Sequence, residues 1–277
     1  MGILKFDDIG YWSEIKLEII KKYAVSYSII MNKQSLIREY SYIDAFSGSG
    51  IHISKDERNI ILGSPLNALN IKPPFNKYHF IDLDGDKIKY LNKLISDYKN
   101  VHTYKGDSNK ILLEEIFPMI KYDKYKRALC LLDPYGLHLA WKVIYAAGQS
   151  KAIEIFLNFP VMDMHMNILW NNPEKVESSQ IERMNNFWGD ESWRDVAYRK
   201  ERGLFEMMER KNPIEIVAQS FKIRLKEIAG FGYVPDPMPM RNTKGGIVYY
   251  LFFATPNKTG NKIVQDILDK YRDWGLK

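Results

Sequence analysis

Along the chain, Trp12, Ile15, Ile19 and Tyr23 recur at helical spacing while Glu14, Lys16, Glu18, Lys21 and Lys22 fall largely elsewhere, which predicts an amphipathic helix near the start. Ser13 stands where it would cap a slightly later start of that helix. Beyond it, apolar runs of strand length alternate with stretches of helical period. The strand runs are Tyr40 to Phe46, Tyr78 to Leu83, Val101 to Tyr104, Ala128 to Leu132 and Ile153 to Phe159. Between them lie Pro65 to Asn70, Asp86 to Tyr98, Asn109 to Ile120 and Leu139 to Gly148, all read as helices. Strand and helix in alternation predict a parallel sheet covered on both faces and joined by right-handed crossovers. Such a sheet binds ligands at the carboxyl ends of its strands.

From Pro160 to about Gly230 the pattern turns polar and helix-rich, with Trp170, Phe187, Trp188, Trp193 and Phe205 as large apolar anchors. We read residues 161–232 as a helical insertion within one domain spanning residues 1–277. Its aromatic rings are expected to pack rather than to stack on bases, since each needs somewhere to bury its surface. Pro235, Pro237 and Pro239 then break any helix and exclude a central strand, and Gly245-Gly246 supplies a turn. Ile247 to Ala254 reads as a strand, and Asn261 to Trp274 as a last amphipathic helix.

Composition changes this picture little. The 277 residues suit one large α/β domain, and 45% hydrophobic with 27% charged residues is ordinary for a globular chain. A net charge of +6 favours a polyanionic partner only weakly. Residues 161–232 carry no basic surplus; it lies in the preceding core and the C-terminal tail. The densest basic run, Lys121, Lys124, Lys126 and Arg127 interleaved with Tyr122 and Tyr125, reads as a solvated loop before a phosphate-contacting rim. The single cysteine, Cys130, sits in an apolar run and reads as a buried small hydrophobe. No apolar run is long enough to span a bilayer, and Lys5, Asp7 and Asp8 occupy the place of a secretory signal, so no membrane association and a cytoplasmic location are expected.

The strongest chemical signal is Tyr42-Ile43-Asp44-Ala45-Phe46-Ser47-Gly48-Ser49-Gly50. A strand that ends in an acidic residue and turns through closely spaced glycines lets backbone approach a ligand that a Cβ would block. Gly-Ser-Gly lacks the third glycine of the dinucleotide fingerprint, and no Gly-Lys-Ser/Thr of a P-loop follows. The Asp-x-Phe-x-Gly-x-Gly form resembles the first motif of S-adenosylmethionine-dependent methyltransferases, particularly those acting on nucleic-acid amino groups. Further acidic residues follow at successive strand ends: Asp82 and Asp84 after the second, Gly106-Asp107 after the third, and Asp133-Pro134-Tyr135-Gly136 after the fourth. The five histidines show no metal spacing with each other or with Cys130, so no metal is expected. A magnesium-dependent nuclease centre of Asp82, Asp84 and Asp107 is the weaker alternative, for no Asp/Glu-x-Lys strand accompanies it.

A resemblance over nearly the whole chain joins these motifs. Trp12-Ser13-Glu14-Ile15-Lys16, the glycine loop, Gly63-Ser64-Pro65, Asp133-Pro134-Tyr135-Gly136, Asn158-Phe159-Pro160 and Phe187-Trp188-Gly189 together look like the three-Cys-motif partner family, TcmP. The resemblance implies a Rossmann-like, doubly wound methyltransferase fold with a mostly parallel sheet, and a genomically neighbouring three-Cys-motif protein as partner. By the same resemblance S-adenosylmethionine is the cofactor, held by Asp44, Phe46, Gly48, Gly50, Asp82 at the ribose hydroxyls and Asp107 at the adenine amino group. Asp133, Pro134 and Tyr135 then form the catalytic lip. One departure stands out: amino-methyltransferases carry a second proline and an aromatic there, whereas this chain has one proline and a glycine after Tyr135.

The resulting expectation is a methyltransferase acting on nucleic acid or a nucleotide-like group, with Arg241 and Lys244 rather than the Lys121–Arg127 run contacting the nucleic acid. Its rival is a non-catalytic binding partner that keeps the fold. An intact Asp133-Pro134-Tyr135 favours the enzyme; the missing proline and the neutral insertion favour the partner.

Overall fold

The computed structural model describes residues 8–55, 59–202, 207–242 and 244–272. Its central sheet has seven strands: β1 Glu39–Asp44, β2 Lys77–Asp82, β3 Val101–Lys105, β4 Lys126–Leu132, β5 Ile153–Phe159, β6 Met238–Arg241 and β7 Ile247–Ala254. They lie in the order β6-β7-β5-β4-β1-β2-β3. The first five are mutually parallel, while β7 runs antiparallel to both its neighbours. Strand order reverses between β1 and β4, and crossovers diverge to opposite faces on either side of that point, opening a crevice outside their carboxyl ends. This is the sheet covered on both faces that the alternation predicts, in the doubly wound, Rossmann-like form that the resemblance implies.

The helices are α1 Tyr11–Lys33, α2 Ser64–Leu69, α3 Gly85–Leu94, α4 Ser108–Ile111, α5 Trp141–Ser150, α6 Val161–Asn167, α7 Ser178–Trp188, α8 Trp193–Ala197, α9 Ile214–Glu227 and α10 Lys258–Tyr271. Apolar residues of α1, α2, α3 and α10 bury one face of the sheet, with the Tyr23 ring in edge contact with Phe156 and Phe253. Those of α5, α7, α8 and α9 bury the other around Phe159, Phe187, Phe221 and Phe252, and Cys130 is buried there. Both faces covered explains why β4 and β5 read as continuous apolar runs. No helix among the described residues is long and apolar enough to cross a membrane.

Several expectations need correction. Gly10, not Ser13, caps α1, and the Ser13 N–H already donates to the Gly10 carbonyl inside the first turn. The stretch after Asn109 leaves regular α-helix at Leu112 for a π turn and a 3-10 turn, for Pro118 has no N–H to continue the ladder. The insertion is not wholly helical, because Tyr198–Arg202 and Met207–Lys211 pair as an antiparallel hairpin. Within it Phe187, Trp188 and Trp193 are buried as expected, whereas Trp170 stays partly open, its Nε1 donating to the Met166 carbonyl. Phe205 and Trp274 lie outside the described residues. Pro239 falls in β6, an edge strand paired with β7 alone, where a missing N–H does no harm. After the glycine loop comes an unforeseen hairpin, Ile51–Ser54 with Ile60–Leu62, and Asp8–Ile9 pairs parallel to its first strand.

Candidate active site

The chain leaves β1 at Asp44 and turns through Gly48 at φ +62° and Gly50 at φ +85°, left-handed values that side-chain-bearing residues rarely adopt. A Cβ on Gly48 would meet nothing within 4 Å, so the space before it is open, whereas one on Gly50 would lie 2.8 Å from Leu91 Cδ1. Asp44 is fully buried beneath this turn and its Oδ1 accepts from the Phe46 N–H at 3.1 Å. Burial pushes its carboxyl up to about 7, against the pull of that hydrogen bond. The Gly48 N–H donates to Asp82 Oδ2 at 2.8 Å, while Asp82 Oδ1 accepts from the Asp84 N–H at 2.8 Å. The carboxylate at the end of β2 thus clamps the glycine loop and still has lone pairs to offer.

Asp84 is the N-cap of α3, accepting from the N–H groups of Asp86 and Lys87. Asp107 caps α4 through the Asn109 N–H at 2.9 Å. Asn109 in turn ties this turn to the loop after β4, donating to the His138 carbonyl and accepting from the Ala140 N–H. Two of the three carboxylates in the nuclease alternative are therefore helix caps, and no cluster of metal-binding side chains occurs among the described residues.

At the end of β4, Asp133 Oδ2 accepts from the Lys16 ammonium of α1, and Asp133 Oδ1 accepts from Asn158 Nδ2 at 2.7 Å. Lys16 also lies 5.3 Å from the centre of the Tyr249 ring, and the Tyr249 hydroxyl donates to the Trp12 carbonyl. Tyr135 is 85% exposed. Gly136 takes φ +61°, and a Cβ there would fall 2.3 Å from Asp163 Oδ2. That carboxylate accepts from the Leu137 N–H and pairs with Arg183, both at 2.8 Å. In the Asp-Pro-Pro-aromatic order Gly136 stands where the aromatic would be, and that departure has a local cause: a side-chain-bearing residue would be strained at this φ and would run into Asp163.

These parts surround one cleft of about 1110 Å³ at the carboxyl edge of the sheet. Phe46, Gly48, Asp82, Asp107, Asp133, Pro134 and Tyr135 all line it. Asp44 and Gly50 do not; they support the loop from behind, so a direct contact of either with a ligand in the cleft is not what this geometry offers. Arg241 and Lys244 lie outside the lining, both exposed, but on its side of the sheet. Tyr250 pairs with Phe159 at the end of β5, which carries Ile247 and the turn after Arg241 beyond the carboxyl edge. Lys126 and Arg127 begin β4 at the opposite edge, where Lys126 and Lys77 both pair with Glu39.

Lys16, Asn158, Trp12 and Tyr249 also line the cleft, and no role was read for them from sequence. For Lys16 a signal existed that setting it off the apolar stripe passed over: it lies four residues after Trp12 and three before Ile19, on that stripe of α1, and is 7% exposed. Asn158 offered the lesser one of a polar residue closing an apolar run. Tyr249 offered none.

No family model matches the chain, and no curated protein matches it. Among solved structures, the protein LPL1258 from Legionella pneumophila is 13% identical, with 93% of this chain and 92% of that one covered and a TM-score of 0.50. A SAM dependent methyltransferase from Aquifex aeolicus is 13% identical over 90% of this chain and 98% of its own, with a TM-score of 0.35. Aeropyrum pernix fibrillarin, in complex with natively bound S-adenosyl-L-methionine, is 8% identical over 85% of this chain and 76% of its own, with a TM-score of 0.36. At these identities the likeness concerns the fold alone, a Rossmann-like arrangement with a mostly parallel seven-stranded sheet.

Proposed function

We propose that the chain is an S-adenosylmethionine-dependent methyltransferase acting on nucleic acid or a nucleotide-like group, a relative of the three-Cys-motif partner family. The observation that carries this reading is the gathering of Asp82, Asp107 and Asp133, from three successive strand ends, around an open left-handed glycine loop in one cleft. The open space before Gly48 and the two-point clamp on Asp82 suit a ribose: the carboxylate is already held in one rotamer, and each oxygen keeps a lone pair for a hydroxyl of a vicinal diol. Asp107, fixed by its cap, is the group for an adenine amino hydrogen. The bound cofactor supplies a methyl group on a sulfonium, a strong leaving group, so the chain's own work is positioning. Asp133 accepts a hydrogen bond from the nucleophile, and Tyr135, standing open to solvent, offers a ring face to a base. Arg241 and Lys244 contact phosphates at the rim.

Calorimetry with S-adenosylmethionine and S-adenosylhomocysteine tests the reading, on protein checked to be free of co-purified ligand. Binding of either is expected, with a raised melting temperature, because a ligand that binds only the folded state stabilises it by mass action. Asp82→Ala is expected to weaken both ligands about tenfold or more while the chain stays folded. Absence of heat with both ligands would refute the cofactor assignment. Binding without a methylated nucleic-acid product, even with the neighbouring protein present, would favour the non-catalytic partner.

A further inference from the structure

We infer that Lys16 is the positioning residue of the acceptor half of the cleft, holding the Asp133 carboxylate in one orientation and balancing its charge beside the transferred methyl group. The inference rests on the methyltransferase reading above and adds to it a residue from outside the nucleotide-binding motifs.

Three observations carry it. Lys16 projects from the buried face of α1, among Ile15, Ile19 and Ile20, where an ammonium is costly unless paired. Its pairing is with Asp133, 117 residues away and at the mouth of the cleft. A core ion pair made only for stability would have no reason to lie on the wall of a ligand-sized cavity, yet both partners line it. Finally, Asn158 Nδ2 holds the other Asp133 oxygen at 2.7 Å, so the carboxylate is gripped from two sides and cannot rotate about its last bond without losing one of them.

The charge argument follows from the chemistry of the ligands. Methyl transfer turns a cationic sulfonium into a neutral thioether. An unbalanced carboxylate beside that atom would hold the cation more tightly than the neutral product and so stabilise the ground state against the transition state, in which the positive charge is dispersing. With Lys16 beside it, Asp133 keeps its acceptor lone pairs and loses most of that preference. Removing the ammonium is therefore expected to make the cleft discriminate by ligand charge.

Sinefungin, in which an amine stands where the sulfonium methyl is, and S-adenosylhomocysteine, neutral at that position, read this without knowledge of the acceptor. In the full-length protein we expect Lys16→Met to raise the affinity ratio of sinefungin over S-adenosylhomocysteine about tenfold, a shift typical of one nearby charge. Lys16→Arg, which keeps the charge, is expected to restore the wild-type ratio. Asp133→Asn, which leaves the ammonium alone, is expected to lower it about tenfold, and this variant decides the matter if Lys16→Met does not fold. An unchanged ratio in both Lys16→Met and Asp133→Asn, or equal shifts in Lys16→Met and Lys16→Arg, would overturn the inference while leaving the cofactor reading intact. Failure of both ligands to bind the wild-type protein would remove the cofactor reading and this inference together.

Discussion

Gly136 shows how one residue fixes the shape of the catalytic lip. Its φ of +61° costs a glycine little, but an alanine there would be strained and would also drive its Cβ to within 2.3 Å of Asp163 Oδ2. Asp163 is the group that fixes the Leu137 N–H and Arg183, so the clash loosens the loop that carries Pro134 and Tyr135. Gly136→Ala is expected to destabilise the protein by about 1–3 kcal/mol in urea unfolding, with cofactor affinity nearly unchanged. A loss of affinity as large as the loss of stability would mean that the lip and the cofactor side of the cleft are one unit. From sequence the glycine registered only as a departure from a two-proline motif. Its conformational reason became visible with Asp163, 27 residues further on, in place.

Among the elements, those predicted best are the ones buried on both faces. Ile153–Phe159 and Ile247–Ala254 fall where the apolar runs place them, since a strand covered on both sides writes itself as unbroken hydrophobicity. The two hairpins left no such trace. Ile51–Ser54 and Ile60–Leu62 are three to four residues long, and the sequence of Tyr198–Arg202 with Met207–Lys211 is mostly polar. Register also separates the two basic groups. Arg241 and Lys244 stand at the cleft edge of the β6–β7 turn, whereas Lys126 is committed to Glu39 and Arg127 stacks 3.8 Å from the Tyr122 ring at the far edge. Neutralising Arg241 and Lys244 is expected to weaken nucleic-acid binding and to flatten its salt dependence by about 1–2 in the logarithmic slope, and neutralising Lys124, Lys126 and Arg127 to do less. A titration across salt concentrations checks both. A change of slope only in the second set would put the nucleic acid at the wrong end of β4 for methyl transfer.

At the scale of the whole molecule, two buried carboxyls make stability fall as pH rises. Glu154 lies in the core with the Tyr23 hydroxyl donating to it, and burial pushes it up to about 7; Asp44 is raised to about 7 in the same way. A carboxyl whose folded value lies above its unfolded one binds more protons in the native state across the interval between them. Stability from such a group is fully present below the unfolded value and is lost as pH rises through about 7. Glu154→Gln, which stays neutral and still accepts from Tyr23, is therefore expected to match the wild type near pH 4.5 and to exceed it by on the order of 1–3 kcal/mol at pH 8. Thermal unfolding from pH 4.5 to 8 checks the sign: an advantage for the variant that shrinks as pH rises would refute it.

The walls of the cleft come from two places far apart in the sequence. Trp12 and Lys16 stand at one, Tyr249 at the other, joined by the hydrogen bond from the Tyr249 hydroxyl to the Trp12 carbonyl across 237 residues. β7, which carries Tyr249, follows every other strand of the sheet in chain order yet lies inside it, between β5 and β6. A nascent chain emerging from the ribosome therefore has its glycine loop, its Asp82 clamp and its Lys16–Asp133 pair available early, yet lacks one side of the chamber until the strand that closes it has been made and threaded into place. A chain cut short before that strand therefore lacks a wall of the chamber.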